Sequence, residues 1–156
     1  MRERGRTPQG VDAHHRQAED RRDPRVLAHT DWRVEHLRFL DDTIVATYDW
    51  DSLGYLSETA LVASSAHAFT ADWTRPGVRR IPTAEDIRAY VADYEDARGR
   101  PFSRHERRDV FAHCVYALAY GARCQHALEP ARGDWEPDSF PHVLRTAGDA
   151  LLAERA

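Results

Sequence analysis

The spacing of apolar residues changes character near residue 57. Upstream, apolar residues come in short runs separated by polar clusters. Downstream, they recur every three or four positions, as one face of a helix requires. Val34 to Leu40 and Thr43 to Tyr48 read as two strands, with Asp41-Asp42 supplying the turn of a β-hairpin. A short apolar stretch, Val26-Leu27-Ala28, marks the start of order ahead of it. Ser57 can cap a helix running to about Phe69. Thr83-x-x-Asp86 is a capping-box pattern with Asp in the acidic place; Ile87, Tyr90, Val91 and Tyr94 follow at helical spacing, and Gly99 ends the segment. Ser103-x-x-Glu106 opens a third helix, whose face is Val110, Phe111, Cys114, Val115, Leu118 and Ala122, to about Leu128. A last helix starts near Asp138 or Ser139 and carries Phe140, Val143, Leu144, Leu151 and Leu152. The fold class predicted is α+β and mainly helical: a β-hairpin followed by about four helices.

Residues 1–24 stand apart. They are dense in charge, and Val11 is their only aliphatic residue beyond Met1, Ala13 and Ala18. Such a stretch cannot bury enough apolar surface to offset its ordering entropy, so it is expected to be a disordered or loosely ordered arm. The remaining length suits one domain. A net charge of −4, with arginines in scattered pairs rather than a stripe, argues against nucleic acid as a partner. No apolar run approaches the roughly 20 residues that span a bilayer, which argues against a membrane, and the arginine-rich start has no apolar segment of a signal peptide behind it. Cys114 and Cys124 fall within one helical pattern with no C-x-x-C spacing, and are expected to be buried free thiols of a cytoplasmic protein. All 22 basic residues are arginine, and asparagine is absent as well. With no lysine, the chain has neither a phosphate-loop lysine nor a Schiff-base amine.

Polar residues capable of chemistry crowd around the hairpin. His29-Thr30-Asp31 precedes it and Tyr48-Asp49-Trp50-Asp51-Ser52 follows it. A hairpin brings its two ends together, so Asp31 and Asp49 are expected to face one site. A carboxylate pair there suits a divalent cation, or a base beside a metal.

The pattern His-x-Asp-x-x-x-x-(Asn), then a hairpin, then apolar-Asp-Trp-(Asp/Glu), resembles the aminoglycoside phosphotransferase family, which has the protein-kinase-like fold. Here the motifs stand as His29-Thr30-Asp31 with His36 five residues past the aspartate, and as Tyr48-Asp49-Trp50-Asp51. The resemblance covers about residues 25–155 and implies that 25–156 form a kinase-like C-terminal lobe. It implies transfer of the γ-phosphoryl of ATP to the hydroxyl of a small substrate. Asp31 would be the catalytic residue that accepts or orients the hydroxyl proton, and Asp49 would hold the nucleotide's Mg2+. His36 occupies the place of the family's metal-binding asparagine, where an imidazole suits Mn2+ better than Mg2+. His29 and Asp51 would be supporting residues. Thr30 replaces the family's usual glycine. The resemblance also implies a nucleotide-holding lobe with a lysine, expected from a separate chain, its surface otherwise covered by self-association.

Two other readings compete. A non-catalytic lobe would act as a binding or interaction module. A haloacid-dehalogenase-like phosphatase would use Asp49 as nucleophile and Asp51 as acid/base, with Gly133-Asp134 and Asp138 downstream, and requires strands alternating with helices. His105, His113 and His126 have no ligand spacing and read as surface or core-edge residues. Asp93, Glu95, Asp96, Glu129 and Asp134 are candidates for gripping a cationic substrate.

Overall fold

The computed structural model describes residues 25–69, 77, 81–129 and 134–154, so the expected arm at 1–24 and Gly133 lie outside the described residues. The order of elements is β1 (Arg25–His29), β2 (Leu37–Leu40), β3 (Thr43–Thr47), β4 (Leu53–Ser57), α1 (Glu58–Ala68), α2 (Ala84–Arg98), α3 (Arg104–Leu128) and α4 (Phe140–Leu152). The class is α+β and mainly helical, as the apolar spacing predicts.

The four strands make two antiparallel ribbons, one nested in the other. β2 pairs with β3 as the hairpin; β1 pairs with β4 around it, from Arg25 opposite Ser57 to His29 opposite Leu53. The pattern did not predict this outer ribbon. It shows Val26-Leu27-Ala28 only as a short apolar stretch and gives no sign of a strand at 53–57. The predicted first strand is also shorter than expected. Val34–His36 form a 3-10 turn, because the His36 amide bonds back to the Arg33 carbonyl at 3.1 Å and cannot join a ladder.

The helices start where their caps dictate. Ser57, Thr83, Ser103 and Ser139 each accept a backbone N–H of the first turn, and Thr83 and Ser103 form complete capping boxes with Asp86 and Glu106. Gly99 closes α2 at φ 75°, a left-handed conformation that glycine adopts without a Cβ penalty. Phe111, Cys114 and Leu118 of α3 are the centre of the core, with Val62, Ala63 and Ala66 of α1, Ile87 and Val91 of α2, and Leu151 of α4 around them. Cys114 is buried as expected and its thiol is pushed up to about 12 by that burial. Cys124, expected to be buried, is exposed, because it lies off the apolar face that Leu118 and Ala122 define. Among the described residues no helix is long and apolar enough to cross a membrane.

α1 ties the helical layer to the ribbons. The Ser64 hydroxyl donates to the Thr30 carbonyl at 3.3 Å, and the Val34 amide donates to the Phe69 carbonyl at 3.1 Å. The turn carrying His29-Thr30-Asp31 is thereby held against the helical core.

Candidate functional site

The nested ribbons put both polar motifs at one end of the sheet layer. Each motif fills a connection between the outer and inner ribbons: 30–36 between β1 and β2, and 48–52 between β3 and β4. Backbone bonds stitch the two connections together. The Thr30 amide and hydroxyl both donate to the Ser52 carbonyl at 2.8 Å, and the Tyr48 amide donates to the His36 carbonyl at 2.8 Å.

Asp49 takes φ 63°, the left-handed region that aspartate enters more readily than most residues. That conformation turns the chain sharply out of β3 into the 3-10 turn Trp50–Ser52. The Ser52 hydroxyl donates to Asp49 Oδ2 at 2.6 Å, and its amide to the Asp49 carbonyl at 3.0 Å. The hydroxyl bond is the main reason that the Asp49 carboxyl sits below the ordinary carboxylate range, against a smaller opposing effect of burial.

His29, at the end of β1, is 8% exposed. Its ring lies within 6 Å of the rings of Trp32, His36 and Trp50. The two imidazoles of the site are oriented by backbone carbonyls. His29 Nε2 donates to the Tyr48 carbonyl at 2.9 Å, and His36 Nδ1 donates to the Asp31 carbonyl at 2.9 Å. A carbonyl only accepts, so each bond fixes a tautomer. The lone pairs are then on His29 Nδ1, which is buried without a partner, and on His36 Nε2. One donor atom from each of His29, His36 and Asp49 lies within 4.8 Å of the others.

Asp31 is on the same connection, with its carboxylate held by Arg33. Arg33 Nε donates to Asp31 Oδ1 at 2.6 Å, and Arg33 Nη1 reaches Glu35 Oε1 at 3.3 Å. The structure therefore gathers His29, His36 and Asp49 into one cluster and places Asp31 beside it. Asp51 is exposed in the 3-10 turn.

A cavity of about 790 Å³ opens beside His29, between the outer ribbon and helices α1 and α2; its walls include His29, Trp32, Trp50, Glu58, Tyr90 and Tyr94. None of the acidic residues expected to grip a cation lines it. Glu95 instead joins α2 to α3, accepting from the Phe102 amide at 2.8 Å and from Arg107 at 2.7 Å. Glu58 lines the cavity but is already paired. Tyr94 donates to one of its oxygens and Arg98 to the other, both at 2.8 Å. Burial first, and then the bond to Glu58, push the Tyr94 hydroxyl up to about 12. Trp32 and Trp50 were within reach of sequence reasoning, since each adjoins a motif aspartate. Glu58, Tyr90 and Tyr94 were not: Glu58 opens α1 beside the outer ribbon, and Tyr90 and Tyr94 reach the cavity because α2 packs against α1.

A Mg2+ ion, which the resemblance implies, prefers an octahedral set of oxygens and keeps several waters. Two imidazoles and one carboxylate do not fit that preference. No family model matches the chain, and neither the curated proteins nor the solved structures give a match.

Proposed function

We propose that residues 25–154 form the hydroxyl-binding half of a small-molecule phosphotransferase of the aminoglycoside phosphotransferase type. One observation carries the reading. A hairpin nested in a second ribbon brings residues 29–36 against residues 48–52, with four bonds onto backbone carbonyls between them. In this reading Asp31 accepts or orients the proton of the attacking hydroxyl, and Arg33 fixes its carboxylate through Oδ1. The substrate would lie in the cavity beside His29, with the indoles of Trp32 and Trp50 as apolar walls. The lysine and phosphate-binding loop that grip a nucleotide would be supplied by a separate chain, since this sequence has no lysine. Most of the large exposed hydrophobics among the described residues lie on the two ribbons and their connections, among them Leu27, Leu40, Val45 and Tyr55, and would be the surface such a partner covers.

The test is a thermal shift with a nucleotide and Mn2+. The metal on Asp49 is this chain's contact with the nucleotide's phosphates, so binding is weak, but at about 100-fold excess over that Kd nucleotide should raise the Tm of the metal-loaded chain by about 5–10 °C. Asp49→Asn should abolish this rise while keeping the left-handed turn, and Asp31→Asn should leave it intact. The isolated chain should show no phosphoryl transfer to hydroxyl compounds. No rise with any nucleoside di- or triphosphate would favour a binding module instead.

A further inference from the structure

We infer that His29, His36 and Asp49 form a three-donor site for a first-row transition-metal ion, with His29 as a metal ligand. This deepens the phosphotransferase reading by changing the identity of its metal and adding a ligand which that reading gives only a supporting part. The argument starts from tautomers. Each imidazole carries its proton on the nitrogen facing a backbone carbonyl, at Tyr48 for His29 and at Asp31 for His36. Metal-binding histidines are commonly oriented in this way, by a carbonyl or carboxylate on the ring nitrogen that does not bind the ion. His36 is left with its Nε2 lone pair. His29 has a buried Nδ1 with no hydrogen-bond partner on a residue that is 8% exposed. A buried polar atom without a partner is destabilising, a penalty that an ion at this site would remove.

Donor chemistry selects the ion. Two neutral nitrogens and one carboxylate oxygen are the donor set of open zinc sites and of the two-histidine, one-carboxylate iron sites. The Irving–Williams order places Co2+, Ni2+ and Zn2+ well above Mn2+ on such ligands. A tetrahedral ion with bonds of about 2.0–2.1 Å sets its donors about 3.3 Å apart. One donor atom of each residue already lies within 4.8 Å of the others, on connections whose backbones are stitched together, so a tetrahedral ion requires them to draw in by at most about 1.5 Å. Asp49 retains a bond from Ser52 to Oδ2, which orients the carboxylate. Three protein donors leave at least one position open for water or an exogenous oxygen. The open coordination and the neighbouring cavity make this a site for chemistry or ligand binding rather than a closed structural one.

Cobalt provides a direct readout that needs neither nucleotide nor activity. The full-length chain, stripped with chelator, should bind one equivalent of Co2+ at neutral pH, giving the visible d–d absorption of a four- or five-coordinate ion. Zn2+ should displace it, and a hundredfold excess of Mg2+ should not. His29→Ala and His36→Ala should each weaken Co2+ at least tenfold, while a His105→Ala/His126→Ala double variant, at exposed positions, should change nothing. His29 is buried, so the thermal melt of its variant is checked; His36→Gln and Asp49→Asn, at more accessible positions, must show the same loss. Unchanged Co2+ binding in His36→Gln and Asp49→Asn would overturn the site. So would an absence of saturable d–d absorption, or displacement of Co2+ by Mg2+. Loss of the nucleotide-induced rise with intact Co2+ binding would sink the phosphotransferase reading alone. A nucleotide-induced rise in Mg2+ without Co2+ binding would sink the transition-metal site alone.

Discussion

His67 is held neutral by its surroundings. Its ring stacks on Phe140 at 5.4 Å, its Nδ1 is buried without a partner, and burial, helped by the charge of Arg33, brings its pKa down to about 4. An unfolded chain would protonate this histidine near 6.5. The folded state thus takes up its proton later than the unfolded state as pH falls. The stabilisation is fully present above about 6.5 and is lost between there and 4. A shift of this size corresponds to about 2–3 kcal/mol after allowance for partial exposure. Urea midpoints of the wild type should therefore fall markedly from pH 7 to pH 4.5. His67→Phe should remove much of that slope while keeping the ring stack. Equal slopes in the two proteins would refute the assignment. Glu106 does not confuse the test. Burial works to raise its pKa, but bonds from Ser103 and Arg100 hold it at about 2; the unfolded chain begins to protonate it near the low end of the window, and that slope is common to both proteins and cancels in the comparison.

Among elements, the junction of α3 and α4 is the tightest described. Phe140 lies flat against Gly121, and a Cβ built at residue 121 would meet three ring atoms at 2.6–2.8 Å. Two effects oppose each other in Gly121→Ala. Helix propensity favours alanine by about 1 kcal/mol, whereas overpacking a fitted contact costs about 1–3 kcal/mol. The clash should win, because Phe140 is also held by its backbone: its amide donates to Gln125 Oε1 at 3.0 Å. A net loss of about 1–2 kcal/mol in chemical denaturation is expected, and a gain would show that the ring can swing away. At this scale the sequence was legible wherever local chemistry decides. Caps at Ser57, Thr83, Ser103 and Ser139 and the glycine at 99 are local signals, and they mark the helices as the structure has them. The β1–β4 ribbon was not legible. It joins strands separated by the whole hairpin, and Val26, Leu27, Leu53 and Tyr55 are exposed, so no buried alternating face announced it. The site was legible by half. The hairpin pointed to Asp31 and Asp49 and the family resemblance to His36, but grouping His29 with His36 and Asp49 depends on the outer ribbon that the pattern concealed.

Taken as a whole, the molecule divides its stability unequally. Nearly all buried hydrophobics belong to the helices and the segments joining them, and Leu37 is the strand residue in that set. The ribbons are held mainly by ladders, by the bonds at Thr30, His36 and Tyr48, and by the two ties to α1. Hydrogen bonds each contribute about 1 kcal/mol net, while burial of a Leu or Phe contributes about 1.5–3 kcal/mol. The site therefore sits on the less stable layer, where local opening should precede global unfolding. Native-state hydrogen exchange gives the test. Amides of Phe111, Cys114 and Leu118 should exchange only through global unfolding. Those of Thr30, Tyr48 and the β2–β3 hairpin should exchange through a smaller opening, at least tenfold faster under the same conditions. Adding Co2+ should slow Thr30 and Tyr48, because an ion on His29, His36 and Asp49 ties together the two connections that carry these amides, and it should leave α3 protection governed by the global equilibrium. Equal protection across strands and α3 in the metal-free protein would mean that the ribbons and the helical core unfold as one unit. The metal would then act on the stability of the entire fold rather than on the order of its site.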